Sequence, residues 1–403
     1  MAEVKAIDST TLQIAVSNPV GNMEYLMIFM WIHPPSVREG KTPDEIGEFE
    51  DIASSTGTGP YKLVEWSEGE YLILEANENY WRGKPSIDWV VWHEYANPAA
   101  LVQALISNEI DIIGGDALPF TAVQTLPETA GIEVPVMPSL NFDEMIINSF
   151  ADGTQPASLK DPVIRTAMEY AIDRQQIINV AYLGYGDPLI SPIPPAMGDW
   201  YNTNLQAIPF DVTEGNRILD EAGFTDTDGD GIREYSDGTA LVYRFYGTEG
   251  AQNARIMEII SDGLSQIGID ATPSMMDEDS LIALYPAYDF DLVYWGWGVD
   301  PDPDFSMMIF TCDQTAEFGW NDSGYCNPEF DELYKQQGIT ADHDARREII
   351  WQMQEILYTE KPYIVLVNYP VVQAYNKEKF TGFNTGCGDL LWKYCFLEGS
   401  PVQ

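Results

Sequence analysis

The segment FDLVYWGWGVDPDPDF, residues 290–305, decides how this chain reads. Apart from Asp291, residues 290–297 are apolar at odd and even positions alike. That is the pattern of a strand covered on both faces. Working outward, 241–246 reads as a strand, 252–267 as a helix, 269–275 as a strand and 280–285 as a short helix, so the region alternates β-α-β-α-β up to 297. Such alternation predicts a mostly parallel sheet, with ligands favouring the crevice at the strands' carboxyl ends. The tryptophans, glycines and aspartates of 294–305 fall at that point.

Earlier segments carry their own punctuation. Residues 61–75, YKLVEWSEGEYLILE, alternate and turn at Ser67-Glu68-Gly69, which predicts a β-hairpin. A strand follows at 88–95. Asn97-Pro98 then caps a helix with Leu101, Leu105 and Ile106 on one face, and 110–113 returns as a strand. Asp161-Pro162 opens another helix, in which Ile164, Ala167, Met168, Ala171 and Ile172 keep the 3.6-residue period. A late helix at 345–357 leads into the two-sided apolar strand YIVLVN at 363–368.

The 403 residues exceed what one core usually serves, so two or three domains are expected. Apolar residues make up 45% of the chain, which suffices for packed cores. Against 64 Asp and Glu stand 20 Lys and Arg, a formal charge of −44 that repels phosphate backbones and makes nucleic acid a poor partner. No window approaches the ~20 apolar residues of a membrane span. The chain starts Met-Ala-Glu without a charged and apolar leader, so an export signal is expected to have been removed or never included. Cys312 with Cys326, and Cys387 with Cys395, form two sequence-local pairs. These suit disulfides in an oxidising compartment, the alternative being unpaired thiols in a reducing one.

In 294–305 the glycines allow close backbone approach, Trp295 and Trp297 offer flat walls, and Asp300 offers a fixed negative charge, a combination that would seat a primary ammonium. The plainer alternative makes the tryptophans core and Asp300, Asp302 and Asp304 turn caps. A second motif, DTDGDGIREYSD at 226–237, places Asp226, Asp228, Asp230, the Ile232 carbonyl and Asp237 as ligands of a calcium loop, with glycine at the sixth position. An Asx-rich turn is its alternative. Catalytic signatures are few: His33, His93 and His343 stand in no metal-ligand spacing, and no GxSxG or P-loop occurs. Asp300 with Asp302 or Asp304 is the one pairing a carbohydrate hydrolase would use.

Several longer segments resemble the extracytoplasmic solute-binding proteins of ABC transporters, in the peptide/nickel-type family of oligopeptide- and dipeptide-binding proteins. They are GTGPYKLVEW at 57–66, ENYWRGKPSID at 78–88, NPAALVQALISNEIDI at 97–112, DPVIRTAMEYAIDRQQI at 161–177, RILDEAGFTDTDGDGIRE at 217–234 and NDSGYCNPEFDELY at 321–334. The resemblance implies an α/β, two-lobed periplasmic-binding-protein-like fold of type II, in its large peptide-binding class. It implies no catalytic step. A peptide would be captured in an interlobe cleft and delivered to a membrane permease by a monomer on the extracytoplasmic side, with no cofactor required and calcium as the one candidate ion.

In that family a Gly-Trp-x-x-Asp element lines the cleft, and Gly296-Trp297-Gly298-Val299-Asp300 matches it. The resemblance therefore implies Asp300 as anchor of the peptide's α-ammonium, Trp297 as wall, and the backbone of Gly296 and Gly298 as partners of an extended ligand. Tyr294 and Trp295 would join them, and Asn148 and Tyr369 would face the cleft from hinge strands near 145–148 and 365–369. Some oligopeptide binders carry arginines where this chain has Tyr285 and Tyr294, so no anchor for a peptide carboxylate is evident. An oligosaccharide or another cationic solute is the alternative ligand. Family members carry a long segment before the part with which this chain begins, so the fold is expected to be N-terminally truncated. Residues 1–56 would be a remnant of the small N-terminal subdomain and first lobe, 57–148 with 369–403 lobe I, and 149–368 lobe II.

Overall fold

The computed structural model describes residues 3–402 other than 31, 33, 43–54, 96, 116–117, 127–128, 130, 152 and 318, and leaves the side chains at 36, 387, 393 and 394 undescribed. The chain forms two compact units: Leu26–Pro138 with Pro370–Gln403, and Met1–Tyr25 with Ser139–Tyr369.

The smaller unit contains the antiparallel meander β1 (Tyr61–Ser67), β2 (Tyr71–Ala76) and β3 (Trp89–His93). Its first turn closes by Glu70 N–H donating to the Ser67 carbonyl at 3.1 Å, with Gly69 at φ +70°, a left-handed position that glycine takes without strain. Helix α1 (Pro98–Ile106) starts where Asn97 accepts a 2.9 Å hydrogen bond from Ala100 N–H, as the Asn-Pro pair predicts.

The larger unit is built on a six-stranded sheet. Its strands are β4 (Asn141–Ile147), β5 (Asp187–Pro188), β6 (Phe245–Thr248), β7 (Pro273–Met276), β8 (Leu292–Gly298) and β9 (Tyr363–Asn368), in the spatial order β5-β9-β4-β8-β6-β7. Helices α2 (Pro162–Ala171), α3 (Arg174–Ala181), α4 (Val212–Ala222), α5 (Ala251–Ser265), α6 (Pro303–Met308), α7 (Pro328–Ile339) and α8 (His343–Glu360) accompany it. Asp161 caps α2 by accepting from Val163 N–H at 2.9 Å, and Ile164, Ala167, Met168 and Ala171 are all fully buried, so cap and period both hold. Helix α5 crosses the end of α2 at Gly263, where a Cβ would lie 2.0 Å from the Ala171 carbonyl oxygen. No larger residue fits there.

The sheet is mixed, which corrects the expectation of a mostly parallel one. β6 pairs in parallel with β7 and β8, but β4 lies antiparallel between β8 and β9, and β5 is antiparallel to β9. The topology explains this: β4 begins just after the chain enters the unit at Ser139, and β9 ends just before it leaves at Tyr369, so neighbouring entry and exit strands run in opposite directions. The expected border at 148–149 is likewise corrected to 138–139, because β4 is paired along its length inside the larger unit's sheet. Residues 1–25 also join that unit; Gly21 N–H donates to the Gly338 carbonyl at 2.8 Å. One face of the sheet, with Phe142, Ile146, Val293 and Val365, packs on Met307, Phe330, Ile350 and Met353 from α6, α7 and α8 as the main core. Among the described residues no helix is long and apolar enough to cross a membrane.

Candidate functional site

Alternation along β8 sorts the quoted residues onto two faces. Val293, Trp295 and Trp297 share the face of the main core; Tyr294, Gly296 and Gly298 share the other. Trp297 is half-buried, with its Nε1–H donating to Asp322 Oδ2 at 3.2 Å and its ring edge-on to Phe305 (5.8 Å between centroids) and Trp320 (6.4 Å). Trp295 meets Tyr285 edge-on at 6.4 Å. Gly296 serves strand pairing: a Cβ there would lie 2.7 Å from Asp143 Oδ1 and 3.0 Å from the Phe142 carbonyl oxygen. One edge of β8 pairs with β4 from Leu292 to Gly298, whereas β6 covers the other edge only at Leu292 and Val293. Beyond Val293 that second edge carries no strand among the described residues.

The three aspartates that follow have different fates. Asp302 is buried, caps α6 through Asp304 N–H (2.9 Å) and takes both terminal nitrogens of Arg346 at 2.7 Å. Asp304 accepts from Gln337 Nε2 at 2.6 Å, and Gln337 Oε1 in turn accepts from Arg346 Nε at 2.9 Å. Asp302 and Asp304 therefore belong to one structural network with Arg346 and Gln337. Asp300 is half-buried and makes no ion pair with Lys or Arg among the described residues. Its neighbour is the Tyr25 hydroxyl, which burial first, and then the nearby charge of Asp300, push well above its usual pKa.

Tyr294 and Asn148, expected at the ligand, are buried and bonded to the protein itself. The Tyr294 hydroxyl donates to Asp143 Oδ2 at 2.6 Å, and the Tyr182 hydroxyl donates to the same oxygen. Asn148 Nδ2 donates to the carbonyls of Tyr288 and Phe290, both at 2.7 Å, and its Oδ1 accepts from Phe150 N–H. Tyr369 is half-buried and stacks on Tyr182 at 5.3 Å. Three buried carboxylates do not stand out in the sequence: Asp143 and Glu144, which lie outside the quoted motifs, and Asp322, the second residue of NDSGYCNPEFDELY. Burial raises Asp143 to about 7 against the lowering hydrogen bond from Tyr294. Burial raises Asp322 to about 7 despite donors from Tyr363 and Trp297. Glu144 is pushed well above the carboxylate range by burial, then by the charges of Asp322 and Asp143, and neither of its oxygens has a hydrogen-bond partner among the described residues.

In the 226–237 loop Asp226, Asp228, Asp230 and Glu234 bring carboxylate oxygens within 4.8 Å of one another, a hard-oxygen donor set of the kind calcium takes. Glu234, the ninth position of the motif, joins this set, while Asp237, the twelfth and an expected ligand, stands outside it and accepts from Thr239 N–H at 2.9 Å in a turn of its own. Asp226 accepts from Gly229 and Gly231 N–H, which lower its pKa. Cys312 and Cys326 form a disulfide. Cys395 is buried and not a free thiol, while the side chain of Cys387 lies outside the described residues. His33 lies outside them as well.

The family model for bacterial extracellular solute-binding proteins, family 5 Middle, matches residues 1–318. The glutathione-binding protein GsiB of Shigella flexneri serotype 5b (strain 8401) is 24% identical over 392 residues, covering 95% of this chain and 71% of that protein. The dipeptide-binding protein of Escherichia coli (strain K12) is 26% identical over 389 residues, covering 94% and 68%. Among solved structures, the oligopeptide-binding protein AppA from Bacillus subtilis in complex with a nonapeptide has a TM-score of 0.79 at 21% identity, covering 100% of this chain and 78% of that one. A periplasmic oligopeptide-binding protein from Thermotoga maritima has a TM-score of 0.86 at 21% identity, covering 100% and 80%. The fold is that of the periplasmic binding proteins of the peptide-binding class.

Proposed function

Because the chain belongs to the bacterial extracellular solute-binding proteins of family 5, we propose that it is the capturing component of an ABC importer, holding a peptide by its α-ammonium and passing it to a membrane permease without a chemical step. The observation that carries this reading is the division of labour among the three aspartates. Asp302 is committed to Arg346 and the cap of α6, Asp304 is occupied by Gln337 and the Tyr334 hydroxyl, and Asp300 makes no ion pair with Lys or Arg among the described residues. It stands two residues beyond the end of β8, after the half of that strand with an uncovered edge, to which an extended peptide backbone could add. Trp297 supplies the wall. The dipeptide and glutathione named for two relatives each carry a free α-ammonium, which supports the same class of ligand. Calcium at the 226–237 loop belongs to this reading as a structural ion, apart from the ligand.

Calorimetric titration of Ala-Phe and its N-acetylated form against the chain and its Asp300→Ala variant tests the proposal. The free dipeptide should bind and the acetylated one should not, and the variant should lose roughly tenfold or more in affinity, the loss of one charge-assisted hydrogen bond. Equal binding of both dipeptides to the unaltered chain would mean that Asp300 does not anchor the ammonium.

A further inference from the structure

We propose that the loop closed by the Cys312–Cys326 disulfide is the specificity element of this site, with Trp320 forming a second wall that selects an aromatic or large apolar side chain beside the ligand's ammonium. The inference rests on the reading that Asp300 holds that ammonium.

The loop grips the cleft tryptophan from two sides. Its pivot is Asn321, which is buried, donates from Nδ2 to the carbonyls of Thr311 (3.1 Å) and Tyr325 (2.7 Å), and accepts at its own carbonyl from the Tyr288 hydroxyl (2.8 Å). Ser149 N–H donates to the Ser323 carbonyl at 2.7 Å, so the inner half of the loop is tied to the end of β4. The two residues flanking Asn321 go opposite ways. Asp322 turns inward and is buried, accepting from the Trp297 indole N–H and from the Tyr363 hydroxyl. Trp320 turns outward, and its ring lies against Trp297 (6.4 Å) and Phe305 (6.0 Å) while 56% of its surface stays exposed.

A single exposed tryptophan is ordinary on a protein surface. This one is continuous with Trp297, the ring proposed as the ligand's wall, and sits on a backbone tied at two points: Trp320 N–H donates to Gln314 Oε1 at 3.0 Å and Asn321 N–H to the Gln314 carbonyl at 3.1 Å. An indole held in place offers contact area without paying ordering entropy, which is why tryptophan dominates binding energetics where it is preset. Trp297, Phe305 and Trp320 form a mutually edge-on corner. On this proposal a ligand residue whose ammonium reaches Asp300, three positions past Trp297 in the sequence, would present its own side chain to this corner. Asp322 acts through Trp297 and is a positioning residue.

The experiment is a titration of Phe-Ala and Gly-Ala against the unaltered chain, Trp320→Ala, Trp320→Phe, Asp300→Ala and the Cys312→Ser/Cys326→Ser double variant. The chain should prefer Phe-Ala by about tenfold; Trp320→Ala should erase that preference with Gly-Ala affinity within about twofold, and Trp320→Phe should keep most of it. The double variant, measured well below its own melting temperature, should lose the preference as well. A preference unchanged in Trp320→Ala, or absent from the unaltered chain, overturns the role of Trp320; one unchanged in the double variant overturns the role of the loop. Asp300→Ala binding both dipeptides as well as the unaltered chain does would overturn the ammonium reading instead, and no binding of either dipeptide by the unaltered chain would overturn both.

Discussion

At the residue scale, buried charge decides where the molecule is fragile. Arg346 is 2% exposed and its charge is met by Asp302, so Asp302→Ala strands a guanidinium in the core. The variant should lose about 3–5 kcal/mol in denaturant unfolding, whereas Asp300→Ala, which breaks no ion pair among the described residues, should cost less than about 1 kcal/mol. Asp143 and Asp322 behave in the opposite sense to a paired carboxylate. Their folded pKa is raised to about 7, so the native state holds protons the unfolded chain releases, and the stability they contribute is full below about pH 4 and is lost as pH rises to 7. Asp143→Asn keeps an acceptor for the Tyr182 and Tyr294 hydroxyls. It should flatten the fall in stability between pH 4 and 7 by on the order of 2 kcal/mol, read from urea melts across that range. A slope unchanged from the parent chain would show that Asp143 is already ionised in the fold. Glu169 runs the other way: Arg174 and Lys361 offset its burial and hold it below its usual value, so its contribution is lost only in acid.

At the scale of elements, the Cys312–Cys326 bridge spans 14 residues, and removing it should cost about 3 kcal/mol in the chain-entropy picture, seen as a lower melting temperature of the double serine variant. Millimolar calcium should raise the melting temperature, and Asp226→Asn or a chelator should abolish the rise; no shift with calcium would make the 226–237 loop an Asx turn alone. The elements legible in the sequence carry local signals. Asp161-Pro162 and Asn97-Pro98 hold their own caps, and YIVLVN and the apolar run before Trp297 need no partner to be read as strands. β4 is legible only as a crossing near 145–148, because Asp143 and Glu144 interrupt NFDEMII just where a buried strand should be apolar. The same interruption hides the polar core. Asp143, Glu144 and Asp322 are far apart in sequence or adjacent on opposite strand faces, and only the sheet brings them near Tyr294, Tyr363 and Trp297. Tyr294 is close to Trp297 along the chain, and the alternation of β8 sets the two on opposite faces of the sheet.

At the scale of the whole molecule, 64 acidic against 20 basic residues leave a charge of −44 that repels itself. Raising sodium chloride from 10 mM to 0.5 M should therefore raise the melting temperature by several degrees, most of it in the lower part of that range as the Debye length falls from about 30 Å toward a few ångströms. No change with salt would mean the charges are already spaced beyond mutual reach. The strand order β5-β9-β4-β8-β6-β7 has a consequence in time as well as in space. β4 leaves the ribosome at residues 141–147, yet the two strands that flank it lie at 292–298 and 363–368. The central ribbon therefore closes only through partners made about 150 and 220 residues downstream of it, so its assembly depends on contacts of long sequence separation, the kind that form slowly.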